Sequence, residues 1–143
     1  MSRLLAALLV LLVGCTGPVR SYPVYASKAA KTAETEASAV GTARLAVGAA
    51  LARKSFGRTL AQILTDAAAD ASSAQGIFDA IQPPDRRANR LRSSLDDLLD
   101  QTVATLQGLV IAARRGDTAA LSRLAAPLAD LAGKLDDFAK AHQ

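Results

Sequence analysis

The sequence predicts an all-α fold, an up-down-up-down four-helix bundle, and three observations carry that prediction. Half of the 143 residues are hydrophobic but only 3% are aromatic, and Ala (32) and Leu (21) dominate. A β-sandwich or barrel would draw instead on Val, Ile, Thr, Tyr and Phe. From Tyr25 onward apolar residues recur at intervals of three and four, the spacing of one helix face. Short joints rich in Gly, Pro and Asp separate the periodic stretches, and short joints force neighbouring helices antiparallel. A positive mean hydropathy with 21% charged residues argues against wholesale disorder.

The chain opens Met1-Ser2-Arg3, followed by ten apolar residues from Leu4 to Val13 and then Gly14-Cys15. Ten helical residues rise about 15 Å, half of the hydrocarbon core, too little for a transmembrane helix. A positive start, a short apolar stretch and a small residue before the break are the parts of a secretory signal. Leu12-Val13-Gly14-Cys15 resembles the bacterial lipobox. That resemblance implies a diacylglyceryl group on the Cys15 thiol, cleavage before Cys15, and an extracytoplasmic, lipid-anchored location in the cell membrane. Two acyl chains supply the double anchor that stable membrane attachment needs. The other reading is an ordinary signal peptide followed by a free or buried Cys. Thr16 follows the Cys where inner-membrane retention in two-membrane bacteria would place Asp.

Domain boundaries follow. Residues 1–14 form the signal peptide, 15–24 the lipidated Cys and tether, and 25–143 the bundle. Pro18, Pro23 and Gly17 are expected to break any helix in the tether. Tyr22 and Tyr25 suit an interfacial position, apolar ring and wet hydroxyl, and serve equally well as plain tether residues.

The first bundle segment, roughly 25–54, repeats Ala30, Ala33, Ala37, Val40, Ala43, Val47 and Leu51; its alanines, with Gly41 and Gly48, permit close backbone approach. The second, roughly 58–81, repeats Leu60, Leu64, Ala67, Ala71, Ala74, Phe78 and Ile81. The third, roughly 84–115, carries Leu91, Leu95, Leu98, Thr102, Leu106, Leu109 and Ala113. The fourth, roughly 118–141, carries Leu121, Leu124, Leu128, Leu131, Leu135 and Phe138. These are heptad-like seams of helices packed at shallow angles. Gly57 separates the first pair. Pro83-Pro84-Asp85 ends the second and puts a proline in the first turn of the third. Gly116-Asp117-Thr118 ends the third on glycine and caps the fourth with Asp. Pro127 lacks the N–H that would bond to Arg123, so a kink or broken turn is expected there.

The C-terminal half is similar to small uncharacterised helical-bundle lipoproteins of GC-rich Gram-positive bacteria. The residues that carry the likeness are Ser73-Ala74-Gln75-Gly76-Ile77-Phe78, Gln82-Pro83-Pro84-Asp85, Ala113-Arg114-Arg115-Gly116 and Ala125-Ala126-Pro127-Leu128. The likeness implies a lipoprotein bundle and brings no chemistry with it.

Reactive groups are sparse. One Cys allows no internal disulfide, and one His supports neither a histidine-rich metal site nor a Ser-His-Asp set. Metal sites in bundles use inward Glu with Glu-x-x-His, whereas the Glu residues here are Glu34 and Glu36 and His142 is next to last. Asp66 and Asp70 are expected near the levels of Asp100 and Asp96, where a carboxylate cluster could hold a hard cation. The heptad frame places Asp96, Asp97 and Asp100 outward, so a solvated acidic belt is the better reading. No P-loop or G-x-S-x-G occurs. No catalytic residue, cofactor or metal is therefore expected, and the chain is read as a non-enzyme.

Charge is more informative. Loss of residues 1–14 removes Arg3 and lowers the net charge of +4 by one. In the up-down-up-down arrangement the bundle divides into a basic membrane-proximal end, an acidic middle and a basic distal tip. Much of the tip has a plain cause, because Arg53, Lys54, Arg114 and Arg115 end helices, where cations favour the macrodipole. Arg86, Arg87, Arg90 and Arg92 crowd a helix start, where the dipole opposes them. The plainer reading is a solvated, partly paired run. The functional reading is contact with anionic headgroups or envelope polymers beside the anchor. Nucleic acid is a poor partner for an exported chain with few aromatics. These readings give a membrane-anchored binding or structural module of the cell envelope, with a protein partner that the sequence does not identify. The alternative is a carrier or sensor of a small apolar ligand held between the helices.

Overall fold

Ala- and Leu-rich stretches turn into five α-helices in the computed structural model, which describes residues 19–53 and 57–143. They are α1 (Tyr22–Arg53), α2 (Arg58–Asp79), α3 (Arg86–Arg115), α4 (Thr118–Ala125) and α5 (Leu128–Ala141). The described residues are all-helical, with no strand among them. None of these helices is long and apolar enough to cross a membrane. The signal stretch, the lipobox and Cys15 lie outside the described residues, as does Lys54.

The helix ends follow local chemistry. Asp85 caps α3 by accepting a 2.8 Å hydrogen bond from the Ala88 N–H, and Asp117 caps α4 the same way through Ala120. Both prolines of the α2–α3 joint therefore lie ahead of the cap, not in the first turn of α3 as expected. Gly116 ends α3 in the left-handed region, with φ 65° and ψ 24°. There its N–H bonds to Ala113 and the Asp117 N–H to Ala112, two carbonyls that would otherwise lack partners. Pro127 interrupts the last segment as expected, separating α4 from α5. Ala126 and Pro127 keep right-handed helical dihedrals, so the break is local and the buried Leu121, Leu128, Leu131 and Leu135 continue across it.

Two expectations for the first segment are corrected. Helix α1 begins at Tyr22, inside the expected tether. Pro23 sits in its first turn, where a missing N–H costs no helical hydrogen bond. Tyr25 consequently belongs to the core and is fully buried, its ring packed on Phe78 at a centroid distance of 5.4 Å. Gly41 and Gly48 do not mark close approaches, because a Cβ added at either would meet nothing within 4 Å. The tight contact is at Gly108 of α3, where an added Cβ would lie 3.2 Å from Leu124 Cδ1.

Side-chain contacts order the helix ends. Arg87 at the start of α3 lies 3.7 Å over the ring of Tyr22, and Phe78 at the end of α2 meets Tyr25. Gln143, just past α5, donates a 2.7 Å hydrogen bond to Glu34 of α1. At the opposite end Arg114 of α3 donates to Thr65 of α2. The start of α1, the end of α2 and the start of α3 thus lie together at one end of the molecule, while the end of α5 meets α1 twelve residues in, at Glu34.

Helix α1 contacts all four of the others. It contributes small residues to the core, among them Ala29, Ala33, Ala43 and Val47, while α2 to α5 contribute Leu64, Leu95, Leu99, Leu106, Leu121, Leu131 and Leu135. Ala43 is fully buried and Leu45 is 70% exposed on the same helix. Ala43→Leu should therefore destabilise the fold by about 1–3 kcal/mol through overpacking. Leu45→Ala should change stability by less than about 0.5 kcal/mol. Chemical denaturation of both variants checks the contrast.

Candidate functional site

The four arginines singled out by sequence divide into two groups. Arg86, Arg87 and Arg90 are exposed on the first turns of α3. None of them forms an ion pair among the described residues. Arg87 stacks on Tyr22, which fastens this basic patch to the first residue of α1.

Arg92 points inward and has a structural task. Its guanidinium donates to the carbonyl oxygens of Ile81 (3.2 Å) and Asp79 (3.0 Å), which α2 leaves without helical partners at its C-terminal end. It also meets the Asp79 carboxylate at 3.1 Å and Asp96 Oδ2 at 3.6 Å, with only a quarter of its side chain exposed. One planar fork thereby ties α3 to the end of α2, a geometry that lysine could not reproduce.

Around this clamp the burial of polar groups raises pKa values. Tyr25 Oη is buried without a hydrogen-bond partner, and burial pushes its phenol upward against the opposing charge of Arg92. Burial also raises the Asp96 carboxyl, again opposed by Arg92, and its Oδ1 is unpartnered. Asp96 is therefore half-buried and not part of a fully solvated belt. Asp97 and Asp100 are exposed, and Asp100 accepts a 2.6 Å hydrogen bond from Gln75. That bond corrects the expected levels. Gln75 stands across from Asp100, whereas Asp66 lies beside Thr65, which meets Arg114 much further along α3. No group of three or more metal-ligating side chains occurs among the described residues. At the chain end, the His142 ring stacks on Phe138 at 4.4 Å, and Nδ1 donates to the Phe138 carbonyl oxygen at 2.7 Å.

Glu36 is the residue that sequence reading passed over. It is fully buried in α1, and neither carboxylate oxygen has a hydrogen-bond partner. Burial pushes its carboxyl up to about 8, with Thr102 of α3 favouring ionisation and the charge of Asp100 disfavouring it. Thr102, also buried, already donates its hydroxyl to Leu98 at 2.8 Å. A signal for Glu36 existed. Ala29, Ala33, Glu36, Val40, Ala43, Val47 and Ala50 repeat at 4-3-4-3-4-3 and are all buried, so Glu36 occupies a seam position that Ala37, half-buried, does not.

Helices α1 and α2 also border an open groove of about 860 Å³. Lys28, Lys31 and Glu34 stand on its α1 wall, Asp66 and Asp70 on its α2 wall, with Thr32, Thr35, Ser38 and Thr42 between. Lys31 donates to Glu34 at 3.0 Å, and this bond with the lysine charge holds the Glu34 carboxyl below its ordinary value. Ile77 on the α2 wall is 67% exposed.

No family model, curated protein or solved structure matches this chain.

The Glu36 carboxyl makes stability depend on pH with a definite sign. Its folded value of about 8 lies above the ordinary 4.5, so the folded state holds a proton that the unfolded chain releases. Stability is therefore fullest below about pH 4.5 for this group and falls as pH rises towards 8. Glu36→Met, of similar length without polar atoms, should raise stability at pH 7 by about 1–3 kcal/mol, the cost of an unsatisfied buried group. It should also flatten the slope between pH 5 and 8 in denaturation experiments at each pH.

Proposed function

We propose that this chain is a membrane-anchored lipoprotein of the cell envelope, a non-enzymatic binding or structural module held to the bilayer through acylated Cys15. Its fold is an up-down-up-down four-helix bundle in which α4 and α5 together form the fourth helix. The anchor rests on the lipobox-like Leu12-Val13-Gly14-Cys15, and the observation that supports contact beside it is the 3.7 Å stacking of Arg87 on Tyr22. It fixes the exposed Arg86, Arg87 and Arg90 beside the start of α1, three residues after the first described residue, Val19. An anchor at Cys15 is only seven residues from Tyr22, and seven extended residues reach about 25 Å. The arginines thus stand within reach of anionic headgroups, where each base adds about 1 kcal/mol of attraction. The α1–α2 groove is open to solvent and not enclosed between the helices, which does not favour the holding of a small apolar molecule.

The anchor and the patch are tested separately. Cys15→Ser should abolish incorporation of labelled fatty acid and leave unprocessed precursor; a labelled, processed variant would refute the anchor. Reversing Arg86, Arg87 and Arg90 to Glu while leaving the Arg92 clamp intact should weaken binding to vesicles containing anionic lipid at low salt. Binding that stays equal to wild type would remove headgroup contact from the proposal.

A further inference from the structure

The groove between α1 and α2 has walls of opposite charge. Lys28 and Lys31 stand on the α1 wall, and Glu34 beside them is occupied by Lys31 and by Gln143 at 2.7 Å. Asp66 and Asp70 stand on the α2 wall. Asp66 accepts only a hydrogen bond from its helix neighbour Gln62, and Asp70 has no ion pair among the described residues. The packing of Tyr25 on Phe78 sets the register of the two antiparallel walls. It brings Lys31 and Asp70 to within about one helical turn of the same level. The floor is made of small buried side chains such as Ala39 and Ala67, and the 67% exposed Ile77 offers an apolar contact on the rim.

We infer that this groove is a self-association surface, and that its occupant is the same groove of a second copy of the chain. A twofold axis running along the groove lays the α1 wall of each copy over the α2 wall of the other. Lys31 of each copy then faces Asp70 of the other, with Lys28 and Asp66 flanking that contact on either side, and the contact is made twice, as an isologous interface requires. The axis direction has a further consequence. Because it runs along the helices, both copies keep their tether ends at the same end of the dimer. The perpendicular twofold axis would place them at opposite ends and would lay lysine wall over lysine wall. Charge complementarity selects the arrangement in which two tethers could reach one bilayer. The inference itself needs no anchor, since it rests on residues of α1 and α2 alone.

Charge swaps test it with the full chain in mild detergent, using sedimentation equilibrium at low and high salt. The wild type should dimerise, more weakly as salt rises. Lys28→Glu with Lys31→Glu makes both walls acidic, and Asp66→Lys with Asp70→Lys makes both basic. Each double variant alone should associate about tenfold more weakly or worse, since like charges then face each other. An equimolar mixture of the two should recover a heterodimer, and all four substitutions in one chain should recover the homodimer. Circular dichroism confirms that these surface variants remain folded. A wild type that stays monomeric at high concentration, double variants that dimerise like wild type, or a mixture that fails to associate would each overturn the inference. Association of the double variants would place any dimer contact elsewhere on the surface.

Discussion

Every other helix in this fold packs against one that has almost no large side chains to offer. Helix α1 contacts α2, α3, α4 and α5, yet its buried positions are alanines and valines apart from Tyr25 and Glu36. Alanine buries little surface, so α1 adds modest transfer free energy of its own. What it provides is room. A rail of small residues lets leucines from the facing helices reach inward and fill the space, at the close packing that interiors require. Stability is therefore concentrated in the leucines of α2 to α5 while geometry is set by α1. Enlarging a buried alanine and truncating a buried leucine are both costly, for opposite reasons.

The two large side chains on that rail are also its two polar exceptions, and they sit at different levels. Tyr25 lies in the first turn of α1 beside Phe78 and the Arg92 clamp. Its unpartnered hydroxyl is the local cost of placing a large ring at the end of α1, where the rail no longer suffices. Glu36 lies deeper, level with Thr102. A buried carboxyl without hydrogen bonds stays protonated near neutrality, because desolvation opposes its charge more strongly than its neighbours support it. An apolar residue in its place would be more stable. Buried polar groups at seam positions penalise shifted registers in other bundles, and a level of Glu36 and Thr102 amid alanine and leucine is placed to act in that way.

Much of this was legible in sequence, and the misses share a cause. The seams of α2, α3 and the α4–α5 segment were readable because leucine marks the inward face without ambiguity. Leu64, Leu95, Leu106, Leu121, Leu128, Leu131 and Leu135 are all buried as expected. The caps at Asp85 and Asp117 and the break at Pro127 were readable because their chemistry is local. On α1 alanine lies on several faces at once, so composition cannot choose among neighbouring seams. A seam through Ala37 and one through Glu36 look alike until the partner helices are in place. Tyr25 is ambiguous in sequence for a related reason: Pro23 suggests a helix breaker, but within the first turn of a helix it is a helix starter. The levels of Asp66 and Asp70 depend on the stagger between α2 and α3, which is set by Arg92 gripping the end of α2, a tertiary contact with no sequence signature.

The arginines at the start of α3 were legible as an anomaly, and their geometry sharpens it. Cations at a helix N-terminus oppose the macrodipole at a cost of about 0.3–1 kcal/mol each. Asp85 offsets part of that through its cap. Arg92, the seventh residue of α3 and beyond the first turn, satisfies the end of α2, and Arg87 gains a ring to stack on. Arg86 and Arg90 gain no ion pair among the described residues. Two exposed cations held where the fold disfavours them, beside a third that is fixed over Tyr22, are not accounted for by the stability of the helix. A surface of negative charge lying against this end would account for them, since it would convert three locally unfavourable charges into a shared attraction.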